Sequence, residues 1–520
     1  MSATLAPPPS KAHTKPKTSA DTVTQPYPRR WYTLAVLCLS LLVIVVDSTI
    51  VNVALPTFAR DLHAGTTGLQ WIVDAYTLAF AALLLLAGAI ADRYGRHTML
   101  TAGLIVFAAG SLAAAFTTTT AELITARVVM GIGGAFIMPS TLSILSTVFT
   151  DHRERMKAIG LWSAVSGLGV AIGPVAGGWL LANFSWGSIF LINLPIVAIA
   201  LVAGHWLVPA SKVPGADGKR LDLTGAILSV AAFTALTYTI IEAPVNGWLS
   251  GTTLGLAAAT AVLLAAFAVR EARAANPMLP LALFRNRRFT GAGASITIMF
   301  FALTGTVFLT TQIYQFVLGY SPLAAGVRAL PSAAALAVFS PLGAFLAKRA
   351  GVRLPVTLGL IAVAAGLVYF ATGSAASGYG HYVLAVVITT AGIGLAMAAA
   401  TSASMQELPP AMAGVGSAVN DTTRNMGSVL GVAVFGSIAA SVFASRMTPV
   451  GTADPASAAH AAGATSVGAA AAAAHHMGGA AGSALMHTAG SAFVTGANHA
   501  VIAGAIAAVL GAAIAARTLR

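Results

Sequence analysis

Apolar segments of about 20 residues recur along this chain, and they constrain its fold more than any other feature. A helix needs roughly 20 apolar residues to cross the hydrocarbon core of a bilayer. Of the 520 residues, 57% are hydrophobic and only 8% are charged, whereas a soluble domain carries about 25% charged residues. The sequence therefore predicts an integral membrane protein whose spanning segments are α-helices.

The spacing of the apolar segments predicts fourteen spans. They lie at residues 31–53, 69–91, 98–117, 122–146, 157–182, 188–208, 223–242, 252–270, 290–311, 322–347, 354–373, 381–402, 413–442 and 499–517. A count of twelve would require that the pair at 223–270 does not cross, yet both of its segments are long enough to do so.

The net charge of +13 would suggest a nucleic-acid partner in a soluble protein. Here most Lys and Arg residues fall in alternate short connections or at the chain ends, which is the positive-inside pattern of membrane proteins. This pattern places both termini in the cytoplasm, together with the connections at 92–97, 151–157, 212–222, 270–288 and 348–353. We therefore predict a multi-pass protein of the plasma membrane that binds no nucleic acid, and the Ala-rich composition suggests a bacterium.

Two acids lie deep inside spans, and they are the first candidates for chemistry. Neither Asp47 nor Asp74 has a basic residue within one turn of its own helix. A carboxyl group removed from water can exchange a proton or balance a cationic ligand, and the alternative is a structural ion pair between spans. Trp71, three residues before Asp74, shares its helix face. Together with Tyr76 and Asn52, we expect it to line a cavity wall.

Cations inside spans are equally informative. Arg127 interrupts the apolar run RVVMGIGG. A cation at this depth costs roughly 2.5–3.5 kcal/mol on insertion scales, so it normally faces the protein interior or a wet cavity. Asp421 and Arg424 lie three residues apart in the thirteenth span. Their spacing is compatible with a local salt bridge and with a role in transport.

The sequence has no features of an ATP-driven protein or of an enzyme. It contains neither a Gly-rich phosphate loop followed by Lys-Ser/Thr nor a nucleophile motif on a recognisable element. The single cysteine, Cys38, lies inside the first apolar run, so no disulfide framework or thiol metal site is expected. We predict no enzymatic activity, no cofactor and no metal.

Several motifs together resemble one family. The run GAIADRYGRH, from Gly88 to His97, resembles the signature between the second and third helices of the major facilitator superfamily, and RVVMGIGG resembles its fourth-helix motif. GLGVAIGPVAGG resembles the antiporter motif of exporters. VVDSTIVNVALP resembles the first-helix motif of the fourteen-span drug:proton antiporter branch, as do SWGSIFLINLP, LDLTGAI, LFRNRRF and YSPLAAGVRALP. The likeness runs from about Trp31 to Ser437.

The resemblance implies an all-α major facilitator fold with fourteen transmembrane helices and alternating access around a central cavity. It divides the chain into a disordered cytoplasmic N-terminus at 1–30, a six-helix bundle at 31–208, two extra central helices with cytoplasmic loops at 209–289, and a second six-helix bundle at 290–520. The Ala/Gly/His-rich stretch at 445–498 is expected to be an extracellular loop. It contains His460, His475, His476 and His487, whose spacing forms no coherent ligand set for a metal.

The resemblance also implies roles for individual residues. Arg127 would belong to the proton-coupling site, and Asp47 would recognise a proton or the substrate. A cytoplasmic latch between the bundles would consist of Gly88, Asp92, Arg93, Gly95 and Arg96. The antiporter motif would let the fifth helix bend and pack through Gly169, Gly173, Pro174, Gly177 and Gly178. The chain departs from the family pattern at Met130, where glutamine is common, and at His97, where Lys or Arg is usual.

These observations predict proton-coupled export of amphipathic, often cationic drugs or toxic compounds by alternating access. The expected partners are small amphipathic substrates, protons and the lipid bilayer, and the expected state is a monomer. Three alternatives stay open at this point. They are a dedicated exporter of one self-made secondary metabolite, a transport-inactive membrane sensor and an uptake symporter. The sensor has no need of Asp47, Arg127 and the glycines, and the antiporter motif disfavours the symporter.

Overall fold

The structure is a computed structural model that describes residues 27–209, 222–274, 281–407, 413–447 and 466–519. Within these ranges the backbone is nearly all helical and has no β-strand. Fourteen helical segments of the described chain are long and apolar enough to cross a membrane, which confirms the number predicted from the sequence. Helices suit this environment because they satisfy their backbone hydrogen bonds within one segment.

The first six spans form the N-terminal bundle. They are built from α1 (Arg30–Asp61), α2 (Thr66–Tyr94), α3 (Arg96–Ala115), α4 (Thr120–Val148), α5 (His152–Asn183), α6 (Ser188–Leu191) and α7 (Asn193–Leu207). Local signals set several boundaries. Thr119 and Glu122 form a capping box at the start of α4, and Gly95 separates α2 from α3 with a φ of 108° that favours glycine.

Two extra helices, α8 (Leu223–Asn246) and α9 (Gly251–Arg273), connect the bundles in the sequence. Gly247, with a φ of 86°, lies in the turn between them. Asp222 caps α8 and pairs with Arg270 near the end of α9 at 2.8 Å, which ties the two helix ends together. α8 packs against α2 and against the helix that contains Ser437, so the pair covers the seam between the bundles.

The remaining elements form the C-terminal bundle. A 3₁₀ turn at Leu281–Arg285 precedes α10 (Arg287–Gln312), which continues into a π-helix (Ile313–Val317). The others are α11 (Pro322–Arg328), α12 (Leu330–Ala350), α13 (Arg353–Ala371), α14 (Tyr379–Gln406), α15 (Ala413–Met447), α16 (Val467–Met477) and α17 (Gly479–Thr518). π-helical turns are rare and frequently mark functional sites.

The sequence predicted a loop at 445–498, but most of the residues that the structure describes there are helical. Residues Val467–Met477 form α16, and α17 begins at Gly479, about 20 residues before the predicted start of the last span. Alanine is the best helix former, and this stretch is rich in it. The packing of the buried Val467 and Ala470 against the bundle stabilises the helix further. His460 lies outside the described residues. Within the described chain, no three His, Cys, Asp or Glu side chains form a group that could hold a metal ion.

The molecule has two distinct ends. We call the end with Arg93, Arg96, Arg153, Arg349 and Arg353 the basic face, and the other end the opposite face. Each basic residue lies at or next to a helix end, where the spans turn back. α1, α10 and α15 run from the basic face to the opposite face, whereas α2 runs back from the opposite face.

The two bundles are joined near the opposite face. The side-chain amide of Gln70 on α2 donates to the carbonyl oxygens of Val432 and Ala433 on α15 at 3.2 and 2.8 Å. Gln315 of the π-helix donates to the carbonyl oxygen of Val53 on α1 at 2.8 Å. Within the described ranges, every hydrogen bond between the bundles comes from one of these two glutamines.

Close backbone packing closes the same end. A Cβ atom at Gly178 of α5 would lie 2.5 Å from the Cα atom of Leu323 on α11. A Cβ atom at Gly326 of α11 would collide with the carbonyl group of Pro174. Only glycine allows two helix backbones to approach this closely, so α5 and α11 seal the bundles against each other at the opposite face.

Candidate functional site

The centre of the N-terminal bundle contains an ion pair. The Arg127 guanidinium on α4 donates a hydrogen bond from Nη1 to Oδ2 of Asp47 on α1. Their side chains are 1% and 0% exposed, so neither charge is in contact with water in this conformation. Two charges removed from water are stable only when paired and hydrogen-bonded. The structure therefore brings together the two residues that the sequence singled out in separate helices.

An asparagine completes the surroundings of Asp47. Nδ2 of Asn193, at the start of α7, donates to Oδ1 of Asp47 at 3.1 Å and is 3.0 Å from the Ser111 hydroxyl on α3. Ser111 donates in turn to the carbonyl oxygen of Phe190 at 2.8 Å. Sequence reasoning missed Asn193 and Ser111. The available signal was a lone asparagine inside the apolar run SWGSIFLINLP, because a buried polar group needs a partner.

The guanidinium makes two further contacts with α2. Nε of Arg127 donates to the carbonyl oxygen of Ile72 at 3.1 Å. The guanidinium carbon lies 4.2 Å from the ring centroid of Tyr76, a distance at which a cation–π attraction operates. Met130, which replaces the common glutamine, is fully buried and supplies no polar partner. Arg127 is therefore held by α1 and α2 instead of by its own helix.

Asp74 has very different surroundings. Its side chain is 0% exposed, yet neither carboxyl oxygen has a hydrogen-bond partner among the described residues. Ile72 and Tyr76, which meet Arg127, lie two residues before and after it, so Asp74 points to the other side of α2. Structures rarely leave a buried carboxyl group unpaired, because the desolvation cost is not offset. Such an exception calls for a functional explanation.

The position of Gln70 shows on which face of α2 the Asp74 side chain lies. Gln70 lies one turn earlier on α2, and residues four apart lie on the same helix face. Its amide reaches α15 of the C-terminal bundle and also lies 3.3 Å from the Ser437 hydroxyl. Asp74 therefore lies on the face of α2 that is turned towards the seam between the bundles. Sequence reasoning did not single out Gln70. As with Asn193, the available signal was a lone polar residue inside an apolar span.

Trp71 and Asn52 were predicted to line a cavity wall together with Tyr76, but in the described chain neither forms a hydrogen bond with Asp47 or Asp74. The Trp71 ring lies 6.0 Å from that of Tyr238 on α8, so it packs against the extra helix pair. The Asn52 side chain donates to the carbonyl oxygen of Ser48 in its own helix at 3.1 Å.

Asp421 and Arg424 form a local pair on α15. Nη1 of Arg424 lies 3.7 Å from Oδ1 of Asp421, and both side chains are partly exposed. Arg424 also donates to the Thr401 hydroxyl on α14 at 3.1 Å, and its guanidinium carbon lies 5.7 Å from the Phe300 ring. The geometry matches the local salt bridge that the sequence left open beside a role in transport.

The residues of the predicted latch lie at the basic face. Asp92 and Arg96 pair at 3.0 Å, and Arg96 also donates to the Ser143 carbonyl and the Thr147 hydroxyl of α4. Arg93 lies over Tyr94 at 5.4 Å, and Gly88 faces Pro139 of α4. All these contacts stay within the N-terminal bundle, so the described latch does not bridge the two bundles in this conformation.

The motif glycines lie on two different faces of α5. Gly169, Gly173 and Gly177 face α1, where a Cβ atom at Gly169 would lie 2.8 Å from Cγ1 of Val45. Gly178 faces α11 instead. Pro174 lies inside α5, where its missing N–H removes one helical hydrogen bond. The motif thus joins α5 to Asp47's helix on one side and to the C-terminal bundle on the other.

With the fold and these side chains in place, comparison with known proteins identifies the family. Residues 37–432 match the family model described as Major Facilitator Superfamily. The chain belongs to the Major Facilitator Superfamily. It is therefore a membrane transporter and not an enzyme. The fold also matches a solved structure, that of a bacterial homolog of the human lysosomal transporter Spinster, with a TM-score of 0.65 and 19% identity over 95% of this chain and 98% of the other.

Relatives with higher identity include proteins named for drug resistance. Multidrug resistance protein Stp of Mycobacterium tuberculosis is 36% identical over 80% of this chain and 77% of its own. The tetracenomycin C resistance and export protein of Streptomyces glaucescens is 34% identical over 79% and 76%. The methyl viologen resistance protein SmvA of Salmonella typhimurium is 34% identical over 81% and 85%. This superfamily member thus resembles efflux and resistance proteins along most of its length.

Proposed function

We propose that the protein exports amphipathic, mostly cationic drugs or toxic compounds in exchange for protons. The observation that carries this proposal is Asp74, a fully buried carboxyl group without a partner on the face of α2 turned to the bundle seam. An isolated negative charge is costly there. A proton or a substrate cation offsets that cost, and because the two compete for one carboxyl group, their movements become coupled.

The Asp47–Arg127 pair has a complementary role in this proposal. Its charges offset each other, and Asn193 and Tyr76 hold them in place. Arg127 also donates to the carbonyl oxygen of Ile72, which lies two residues before Asp74 on α2. A rearrangement of the pair therefore shifts the turn of α2 that carries Asp74. We assign Asp74 to proton and substrate exchange, and the pair to coupling that exchange to helix movement.

The proposed orientation follows from the charged connections. With the basic face in the cytoplasm, the seal between α5 and α11 lies on the external side, and the conformation is inward-facing. The chain then acts as a monomer in the plasma membrane, with both termini in the cytoplasm. The Asp92–Arg96 latch, which stays within one bundle here, would join the bundles only when the cytoplasmic side closes.

The energetics suit such an exchange. One elementary charge moving down the membrane potential supplies about 2.3 kcal/mol per 100 mV. Each ~1.4 kcal/mol corresponds to a tenfold concentration ratio. One proton exchanged for one uncharged substrate therefore supports roughly fortyfold accumulation per 100 mV. Exchange of one proton for one monovalent cation moves no net charge, so the pH gradient alone drives it.

The test uses inverted membrane vesicles that contain the full chain. A proton gradient, acidic inside, is imposed, and ethidium uptake is followed together with lumenal pH. We expect uptake that dissipates the gradient, and the loss of both signals in Asp74→Asn. Asp61→Asn is the matched control, because Asp61 is an exposed acid at the end of α1. Gradient-driven uptake that is unchanged in Asp74→Asn would remove Asp74 from the mechanism.

A second candidate is the dedicated export of one self-made metabolite. The names of several relatives support it, among them the tetracenomycin C resistance and export protein and the puromycin resistance protein of Streptomyces alboniger. The same proton site would serve either substrate range. A panel of structurally unrelated cations separates the two: transport of several supports a multidrug exporter, and transport of none supports a narrow one.

A further inference from the structure

Three tyrosines pack together at the opposite face of the C-terminal bundle, and two of them face an arginine. Tyr314 lies in the π-helix, Tyr320 in the following turn and Tyr379 at the start of α14. Their ring centroids are 5.7–6.4 Å apart in all three pairs. The Arg328 guanidinium carbon lies 4.0 Å from the Tyr320 centroid and 5.7 Å from that of Tyr379. We call these three rings the tyrosine cluster.

The tyrosine cluster binds a cation without an acid. Among the described residues, Arg328 forms no salt bridge, and its guanidinium makes one hydrogen bond, a long one of 3.4 Å to the Ala324 carbonyl. The ring faces therefore supply most of its stabilisation through cation–π attraction. Aromatic faces of this kind also attract organic cations. Because no carboxylate takes part, binding is weak, which suits a site that must release its ligand.

Arg328 also belongs to the element that seals the bundles. It is the last residue of α11, and Gly326, two residues earlier, packs against the Pro174 carbonyl of α5. The Tyr379 hydroxyl donates to the Arg328 carbonyl oxygen at 3.0 Å. The tyrosine cluster therefore anchors the C-terminal end of α11 through both the side chain and the backbone of one residue.

We propose that the tyrosine cluster is an exit site for organic cations, and that Arg328 occupies it when no substrate is leaving. A departing cation takes the place of the guanidinium on the ring faces. Loss of that contact loosens the C-terminal end of α11 within its own bundle, so α11 no longer holds Gly326 firmly against Pro174 of α5. The arrival of substrate then favours opening on the side where it leaves. This inference rests on the proposed export of cations and on the external position of the opposite face.

The test measures equilibrium binding of tetraphenylphosphonium to the purified full chain in detergent. All variants carry Asp74→Asn, which removes the proposed central site. In this background Arg328→Ala empties the tyrosine cluster and is expected to add one bound cation per protein. Adding Tyr320→Leu should weaken that binding about two- to fivefold, whereas Tyr320→Phe, which keeps the ring, should retain it. Tyr369→Leu, a half-exposed tyrosine of α13 outside the cluster, should have no effect.

Two results would overturn the proposal. One is a folded Arg328→Ala variant, with an unchanged elution profile and melting temperature, that binds no additional cation. The other is additional binding that Tyr320→Leu leaves unchanged. If Arg328→Ala does not fold, Arg328→Gln removes the charge with less loss of volume and gives the same comparison. Failure of the proposed function is a separate result, since it would appear as equal binding by the wild type and Asp74→Asn.

Discussion

Asp47 and Asp74 lie in adjacent helices of the same bundle, and both are fully buried, yet their surroundings differ completely. Asp47 has a cation on one oxygen and an amide on the other. Asp74 has a partner on neither oxygen within the described chain. The comparison teaches that burial alone does not identify a proton-exchange residue. A satisfied acid is expected to support the structure, whereas an unsatisfied acid is expected to exchange ligands.

The largest effect on stability is expected from Asp47→Asn. The substitution leaves the buried Arg127 guanidinium without a counter-charge, and breaking a buried pair costs about 3–5 kcal/mol. Denaturant unfolding of the purified protein in detergent measures the loss. The double variant Asp47→Asn, Arg127→Gln removes both charges and should recover most of the lost stability. If the single variant is as stable as the wild type, the pair is not structural and the contrast with Asp74 fails.

A smaller loss is expected from Asn193→Leu, which keeps a similar volume. It removes the amide donor to the Asp47 carboxylate, and a hydrogen bond to a charged group contributes about 1.5–3 kcal/mol. The same unfolding measurement tests it. Asn183→Leu is the control, because Asn183 is exposed and bonds only within α5. Equal losses in the two variants would show that Asn193 does not support the pair.

For Asp74→Asn we expect a stability change below about 1 kcal/mol, since the carboxyl group has no partner to lose. Transport should respond in the opposite way. Proton-driven ethidium uptake into inverted vesicles should fall at least about tenfold, a free-energy difference of about 1.4 kcal/mol. A variant that is strongly destabilised but still transports would reverse the roles that we assign to the two acids.

The smallest effect is expected from Tyr76→Phe. The Tyr76 hydroxyl is buried and has no hydrogen-bond partner in the described chain, while the ring that faces Arg127 is kept. The free energy of unfolding should therefore change by less than about 0.5 kcal/mol. Tyr76→Leu removes the ring and should cost more, because the cation–π contact is lost. Equal stability of the two variants would show that the ring face does not contribute.

The length and spacing of the apolar segments predicted much of the fold. Fourteen apolar segments correspond to fourteen candidate spans, and capping residues such as Thr119 lie where helices begin. The stretch at 445–498 was predicted wrongly because Ala- and Gly-rich composition resembles a low-complexity loop. Whether such a stretch folds depends on the surface available to it, and here Val467 and Ala470 are buried against the rest of the bundle.

The sequence by itself determined which side chains are too costly to leave in lipid: Asp47, Asp74 and Arg127 stand out because an ionisable residue in a span needs a reason. Only the tertiary structure decided their partners. Asp47 meets Arg127 and Asn193 across 80 and 146 residues of chain, while Asp74 points to the seam and meets no partner. Those outcomes depend on how each helix is rotated against its neighbours, which is set by packing between helices and not by the pattern within one.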